Sequence, residues 1–408
     1  MKSIFSTFKV NDAKTGKPID LIGTMQIAFD KASLSKKTMW EEMYVDKWFE
    51  YRPAQLGLTA EGIMGKYHVR IRASIIGNNA DTPLRPGRGF ELWSGKIPRM
   101  GHKFMTDADT LRTLLQVYEN NRINPAQKLN EIKKCMFGDY KDAYLGCKDV
   151  VDEIILKALS NGGVAIFDPA IDNPDGIKYM VEYDMPAENK KLVKAGEEWT
   201  EANINNTSID VASLLQKIVY DYLQKGVVFD KILMAPDIKY WMMRSVGLRT
   251  GYLGKDKNTR SLTEDEFSAY LKSMKIPTIE EINRRTAYQK DGKPTNINPW
   301  NDNVISFIPK TEDGKLGEVQ PAFEDNAILP DPNVQYTDAG EGIRIAKWTT
   351  GESTGDQAAE WTQGTWRAVP IISCINGVVN LQVRNLDKPF AEDATTVNYN
   401  PVSEIPSV

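Results

Sequence analysis

KWTTGESTGDQAAEWTQGTWRAVPI, Lys347 to Ile371, carries three of the chain's nine tryptophans, Trp348, Trp361 and Trp366. Inside it, Gly351-Glu352-Ser353-Thr354-Gly355 has the G-x-S-x-G form of a hydrolase nucleophile elbow. The stretch is open to three readings: a catalytic turn, an aromatic platform for a sugar, or strands and a loop of a structural sheet. An elbow needs a helix after its serine and a histidine further along the chain. The two histidines, His68 and His102, both precede Ser353, and the sequence after it is β-rich. Tryptophan is also more often buried or at a protein interface than free on a surface. The structural reading leads. Ser353 then lies in a Gly/Thr-rich loop, and the three tryptophans are expected to anchor a sheet.

The rest of the composition excludes most chemistry. At 408 residues, with 41% hydrophobic and 26% charged residues, the chain has room for two or three domains, or one body with extensions. A net charge of −4 argues against nucleic-acid binding driven by overall positive charge. Three cysteines cannot build a disulfide framework, and two histidines exclude a His-rich metal site. Cys135 and Cys147 fall on different faces of one helical pattern. Gly254-Lys255 is followed by Asp256 and Gly314-Lys315 by Leu316, so neither is a phosphate-binding loop. No catalytic, metal or cofactor residue is expected. No apolar run approaches the roughly 20 residues that cross a bilayer, and "MKSIFSTFKVNDAKTG" is not read as a secretory signal.

Patterning gives the elements. Residues 1 to about 50 are weakly periodic, as in an extended arm. Lys66, His68, Arg70 and Arg72 alternate with Tyr67, Val69, Ile71 and Ala73, a half-exposed strand. "GNNADTPLRPGRG" (77–89), with Arg85 and Arg88, and the return strand "FELWSGKI" (90–97) complete a two-stranded flap. Pro125 opens a helix to about Ser160, with a break expected near Gly138 and an end at Asn161-Gly162-Gly163. "GVAIFD" (163–168) and "IKYMVEYD" (177–184) make a hairpin. Thr207 or Ser208 is expected to cap an amphipathic helix that stops at Gly226. The strand "VVFDKILMA" (227–235) leads to a helix begun at Pro236, while "GLRTGYLGK" (247–255) reads as a turn-rich loop. Later strands are 342–348, 365–375 and 377–385, the last with Val379, Leu381 and Val383 alternating against Asn380, Gln382 and Arg384.

This order of elements resembles the major capsid proteins of tailed double-stranded DNA phages, in particular the lambda-type major capsid protein E family. Three stretches carry the similarity: "ALSNGGVAIFDPAIDNPDGIKYMVEYD" (158–184), "GEEWTEANINNTSIDVASLLQKIVYDYLQKGVVFDKILMAPDIKYWMMRS" (196–245), and residues 347–385. The resemblance implies an α+β, Hong Kong 97-like fold. Residues 1–60 would be an N-terminal arm and 61–105 an extended β-hairpin E-loop. The peripheral P-domain, with a long spine helix, would take 106–200 and 342–385, the axial A-domain 201–341, and a loose tail 386–408. It further implies pentamers and hexamers, a procapsid that matures on packaging, and assembly in the host bacterial cytoplasm into a virion capsid. The partners it implies are scaffold, portal and decoration proteins and packaged double-stranded DNA held without sequence specificity, with no membrane and no cofactor. A Lys- and Asn-rich insert within about 252–300 departs from the family.

Charge distribution supports arms that lie on other copies. Residues 1–40 hold seven Lys and three Asp, and residues 66–103 hold eight Lys or Arg and two acids. The nets of +4 and +6 leave −14 for the remainder of a −4 chain. On this reading His68, Arg70, Arg72, Arg85 and Arg88 are inter-subunit contacts. The alternatives are an encapsulin-type shell, or a carbohydrate-binding or hydrolytic module using the Trp-rich stretch.

Overall fold

The computed structural model describes residues 10–11, 18–19, 43–65, 91–120, 124–254, 260–290, 292–351 and 359–397. Its longest element is one helix, Pro125–Ser160. Proline fits the first turn because it lacks only an N–H that has no intrahelical partner. The helix ends where Gly162 and Gly163 take φ of +66° and +87°, values that L side chains rarely adopt. No break occurs at Gly138. A single glycine lowers helix propensity without removing a backbone hydrogen bond, and 36 residues of ladder carry across it.

The chain divides into two compact units, and the boundary falls inside this helix between Asp152 and Glu153. The first unit comprises Met1–Ala60, Ser94–Asp152 and Gly317–Ile371. In it Val10–Asn11 (β1) and Pro18–Ile19 (β2) form a two-residue ladder. The main sheet is organised around the 13-residue strand Ala359–Ile371 (β18). Along one edge β18 pairs with Arg344–Thr350 (β17), which pairs with Gln335–Asp338 (β16). Along its other edge β18 pairs with Arg99–Asp107 (β6) over residues 359–367, while Gly317–Ala322 (β15) pairs with residues 367–371 on the β17 side, with Phe49–Tyr51 (β3) parallel to β15. The long helix lies directly on this sheet. A Cβ on Gly364 would sit 2.3 Å from the Ala143 carbonyl oxygen, and one on Gly146 would sit 2.1 Å from the His102 ring. Gly364 lets the helix and strand backbones approach this closely, and Gly146 leaves room for the His102 side chain.

The second unit comprises Glu61–Trp93, Glu153–Leu316 and Ile372–Val408. Its six-stranded sheet runs Thr278–Glu281 (β11), Phe229–Met234 (β10), Val304–Pro309 (β14), Val379–Gln382 (β19), Lys190–Leu192 (β9) and Thr395–Thr396 (β20). Two hairpins stand apart from it: Val164–Phe167 (β7) with Tyr179–Glu182 (β8), and Thr286–Lys290 (β12) with Lys293–Ile297 (β13). Thr59–Met64 (β4) and Glu91–Lys96 (β5) pair at the base of the expected flap.

Several sequence expectations change. The helix Val211–Gln224 is capped by Asp210, whose side chain accepts from Ser213 N, rather than by Thr207 or Ser208. Residues 246–253 are helical, not a loop. Asn380 and Gln382 do not face solvent. Strand β19 is central, and the Asn380 amide donates to the Leu159 carbonyl (2.6 Å) and Ser306 Oγ (2.7 Å), while its oxygen accepts from Gly162 N (3.1 Å). A buried amide with all these partners is tolerated where an unpaired one is costly. Within the residues expected as an arm, 43–51 form a short helix and the edge strand β3. Residues 386–397 are packed as well, with Phe390 N donating to Gln382 Oε1 and Lys190 paired to Asp393. The expected border at 341/342 separates β16 from β17, which are hydrogen-bonded neighbours.

Candidate assembly surface

The three tryptophans of the opening stretch part company. Trp366 is completely buried on the helix side of the sheet, its indole N–H donating to the Glu341 carbonyl at 3.0 Å. Trp348 and Trp361 are half-buried and directly opposite one another across β17 and β18. Trp361 donates to Thr350 Oγ1 at 2.9 Å, and the Lys103 ammonium stands 4.2 Å from its ring centroid. Opposite Trp361 on β6, Met105 is exposed. The buried side of the same ladder is polar. Lys347, 1% exposed, donates to Thr362 Oγ1 at 3.0 Å and lies 4.0 Å from fully buried Glu360, which accepts from Thr349 at 2.7 Å. Ser353 lies outside the described residues.

A second constellation fixes the N-terminal part of the first unit. Lys148 and Asp152, one turn apart on the long helix, both reach the short helix Tyr44–Trp48. The buried Asp152 carboxylate accepts from Tyr44 N (3.1 Å) and Val45 N (2.6 Å), two amides at that helix's start. The Lys148 ammonium, 1% exposed, pairs with Asp46 at 2.9 Å and Glu341 at 2.5 Å, between the rings of Tyr51 and Tyr144. Burial alone would lower the Lys148 pKa, but Tyr144, Glu341 and Asp46 outweigh it and hold it above the usual lysine value. Burial also pushes the Tyr144 phenol up, to about 12. This is a structural ammonium with its charges satisfied, and it has no nucleophilic character.

Some of the exposed apolar side chains lie on two-stranded ribbons. Ile63 and Leu92 are exposed at 60% and 74% on β4 and β5. On the β7–β8 hairpin Ile166 and Met180, directly paired in register, are exposed, as are Ile171 and Ile177 in its turn. His68, Arg70, Arg72, Arg85 and Arg88 fall outside the described residues. Among the described residues no group of three His, Cys, Asp or Glu could hold a metal ion, and no helix is long and apolar enough to cross a membrane. Cys147 and Cys374 are buried, which pushes both thiols up to about 12.

No family model matches the chain, and no curated protein matches its sequence. Solved structures do. A protein assigned to the capsid of an Escherichia coli CFT073 prophage is similar over 89% of this chain and 99% of its own, at 12% identity and a TM-score of 0.50. A phage-related protein of Bordetella bronchiseptica RB50 is matched over 92% of this chain and 98% of its own, at 11% identity and a TM-score of 0.42. The capsid of the Myoviridae phage XM1 is matched over 86% and 95%, at 8% identity and 0.40. At such identity the first likeness is one of fold. The chain has the α+β fold expected from its order of elements, that of the prophage capsid protein.

Proposed function

We propose that the chain is the major shell subunit of a tailed double-stranded DNA phage, assembling as pentamers and hexamers into an icosahedral capsid. The likeness to the prophage capsid protein along nearly the whole of both chains carries this reading. It is supported by exposed apolar side chains on ribbons that cannot bury them alone, Ile63 and Leu92 on one and Ile166, Ile171, Ile177 and Met180 on another. Residues 66–90 belong to the E-loop, where His68, Arg70, Arg72, Arg85 and Arg88 meet the acidic body of a neighbouring copy. Residues 1–60 act as an arm, with the Lys148–Asp152 clasp holding its Tyr44–Trp48 segment to the body. Trp366 is a core anchor, and Trp348 with Trp361 stiffens the outer face of the same sheet. The subunit is not proposed to be an enzyme. Scaffold, portal and decoration proteins act with it in the host cytoplasm, and the product is the virion capsid.

Negative-stain microscopy and size exclusion of the expressed protein test the reading: shells or capsomer rings are expected, and small monodisperse particles at all concentrations would refute it. The Arg70→Glu/Arg72→Glu double variant should fold but assemble poorly or only at high salt, because like charges would then face each other across the contact.

A further inference from the structure

The insert that departs from the family ends in a ribbon with an unusual surface. Strands β12 and β13 pair over five positions, from Thr286 opposite Ile297 to Lys290 opposite Lys293, with Gly292 in the connection between them. Gly292 has φ +75°, the left-handed conformation that such a tight hairpin turn requires. From residue 287 to 296 the described residues are exposed, apart from half-buried Tyr288. The ribbon is tied down near its base. Thr286 Oγ1 donates to Glu153 Oε2 at 3.3 Å, and the Tyr288 hydroxyl donates to the Ile171 carbonyl at 2.9 Å.

Three features decide what such a surface fits. Residues 284–297 contain Arg284, Arg285, Lys290 and Lys293 against the single acid Asp291, within a chain whose net charge is −4. Burial raises the Asp302 carboxyl pKa and Arg285 opposes that rise, but among the described residues no ion pair involves Lys290 or Lys293. These two lysines are exposed and face each other directly in the ladder, an arrangement of like charges that destabilises an isolated ribbon. The ribbon also exposes no large apolar side chain. A protein–protein contact needs an apolar, desolvated centre, which Gln289, Pro294, Thr295 and Asn296 cannot provide. Cationic side chains beside hydroxyl and amide groups, with nothing apolar to bury, instead suit a phosphate backbone.

We propose that the β12–β13 ribbon is a nucleic-acid contact, with Lys290 and Lys293 gripping the phosphate backbone of double-stranded DNA without reading its sequence. The inference deepens the shell reading by naming the surface that meets packaged DNA, and it rests on that reading for the presence of DNA. A phosphate held between the two ammonium groups removes their mutual repulsion. The polar side chains along the ribbon then supply hydrogen bonds that tolerate any base sequence.

The test uses the full chain and two fluorescein-labelled 20-base-pair duplexes of unrelated sequence, with anisotropy read across a salt series. Both duplexes should bind equally, and more weakly as salt rises. Lys290→Glu/Lys293→Glu should weaken binding at 50 mM salt by about tenfold or more and reduce the slope of log K against log salt by about 2. Lys194→Glu/Lys388→Glu, exposed lysines elsewhere in the same unit, changes net charge equally and should leave binding nearly unchanged. Absence of salt-dependent binding by the unmodified chain, or equal loss in both double variants, overturns the inference. Microscopy of the same samples separates the two readings. Shells from the Lys290/Lys293 variant with DNA binding lost support the inference, whereas loss of shells with DNA binding intact overturns it and makes the ribbon a contact between copies. An unmodified chain that never assembles counts against the shell reading itself.

Discussion

The closeness of the long helix to strand β18 can be measured with one methyl group. In Gly364→Ala the new Cβ would lie 2.3 Å from the Ala143 carbonyl oxygen, 2.9 Å from its carbonyl carbon and 3.1 Å from its Cβ. An ordinary contact to that oxygen is roughly 1 Å longer, and the obstacle is helix backbone, which cannot rotate aside as a side chain would. Overpacking of this kind costs about 1–3 kcal/mol and sometimes more, and a backbone obstacle places this site at about 3 kcal/mol. Against a total stability of about 5–15 kcal/mol that is a large fraction. Gly138→Ala, on the same helix, is the matched control, since its Cβ would meet nothing within 4 Å. There alanine should stabilise by about 0.5–1 kcal/mol through helix propensity and reduced unfolded-state freedom. Urea denaturation of soluble subunit, followed by tryptophan fluorescence, gives both values. Gly364→Ala as stable as the unmodified protein would refute the close packing, and a destabilised Gly138→Ala would refute a continuous helix.

Other expectations follow from buried partners. Trp366→Ala should cost about 3–5 kcal/mol and give mostly insoluble protein, while Trp361→Ala should cost about 1 kcal/mol and stay soluble; comparable losses would contradict their different burial. Asp152→Ala removes the acceptor of two buried amides and should cost about 1–3 kcal/mol, with hydrogen exchange accelerated in residues 44–51; unchanged protection there would refute the clasp. Glu266 is held down to about 2, first by Arg260 and then by the Thr263 amide in its capping box. A carboxyl depressed in the folded state contributes stability above its unfolded value of about 4.3, and that contribution is lost as pH falls toward 2. Glu266→Gln should therefore flatten the melting temperature between pH 5 and 2, and parallel curves from the two proteins would count against the pair.

The sequence by itself determined the order and type of most elements. Proline at position 125 and the glycines at 162 and 163 mark the ends of the long helix, because backbone constraints at those positions are local. The Trp-rich stretch could be read as strand because a missing downstream histidine is visible without coordinates. Pairing was not legible. Alternation at 379–383 looks the same in an edge strand as in a central one whose Asn380 meets a polar partner, and only the neighbouring β14 and the Leu159 carbonyl decide which it is. The Lys148 clasp joins residues from three separate segments, 46, 148 and 341, and no spacing rule links them. The same holds for the division into units, since β15 and β16 join β17 and β18 through hydrogen bonds that no composition change announces. Local chemistry fixes where the backbone turns and which face of an element is apolar. Tertiary structure decides which apolar face meets which, and therefore which tryptophan is core and which charge is buried.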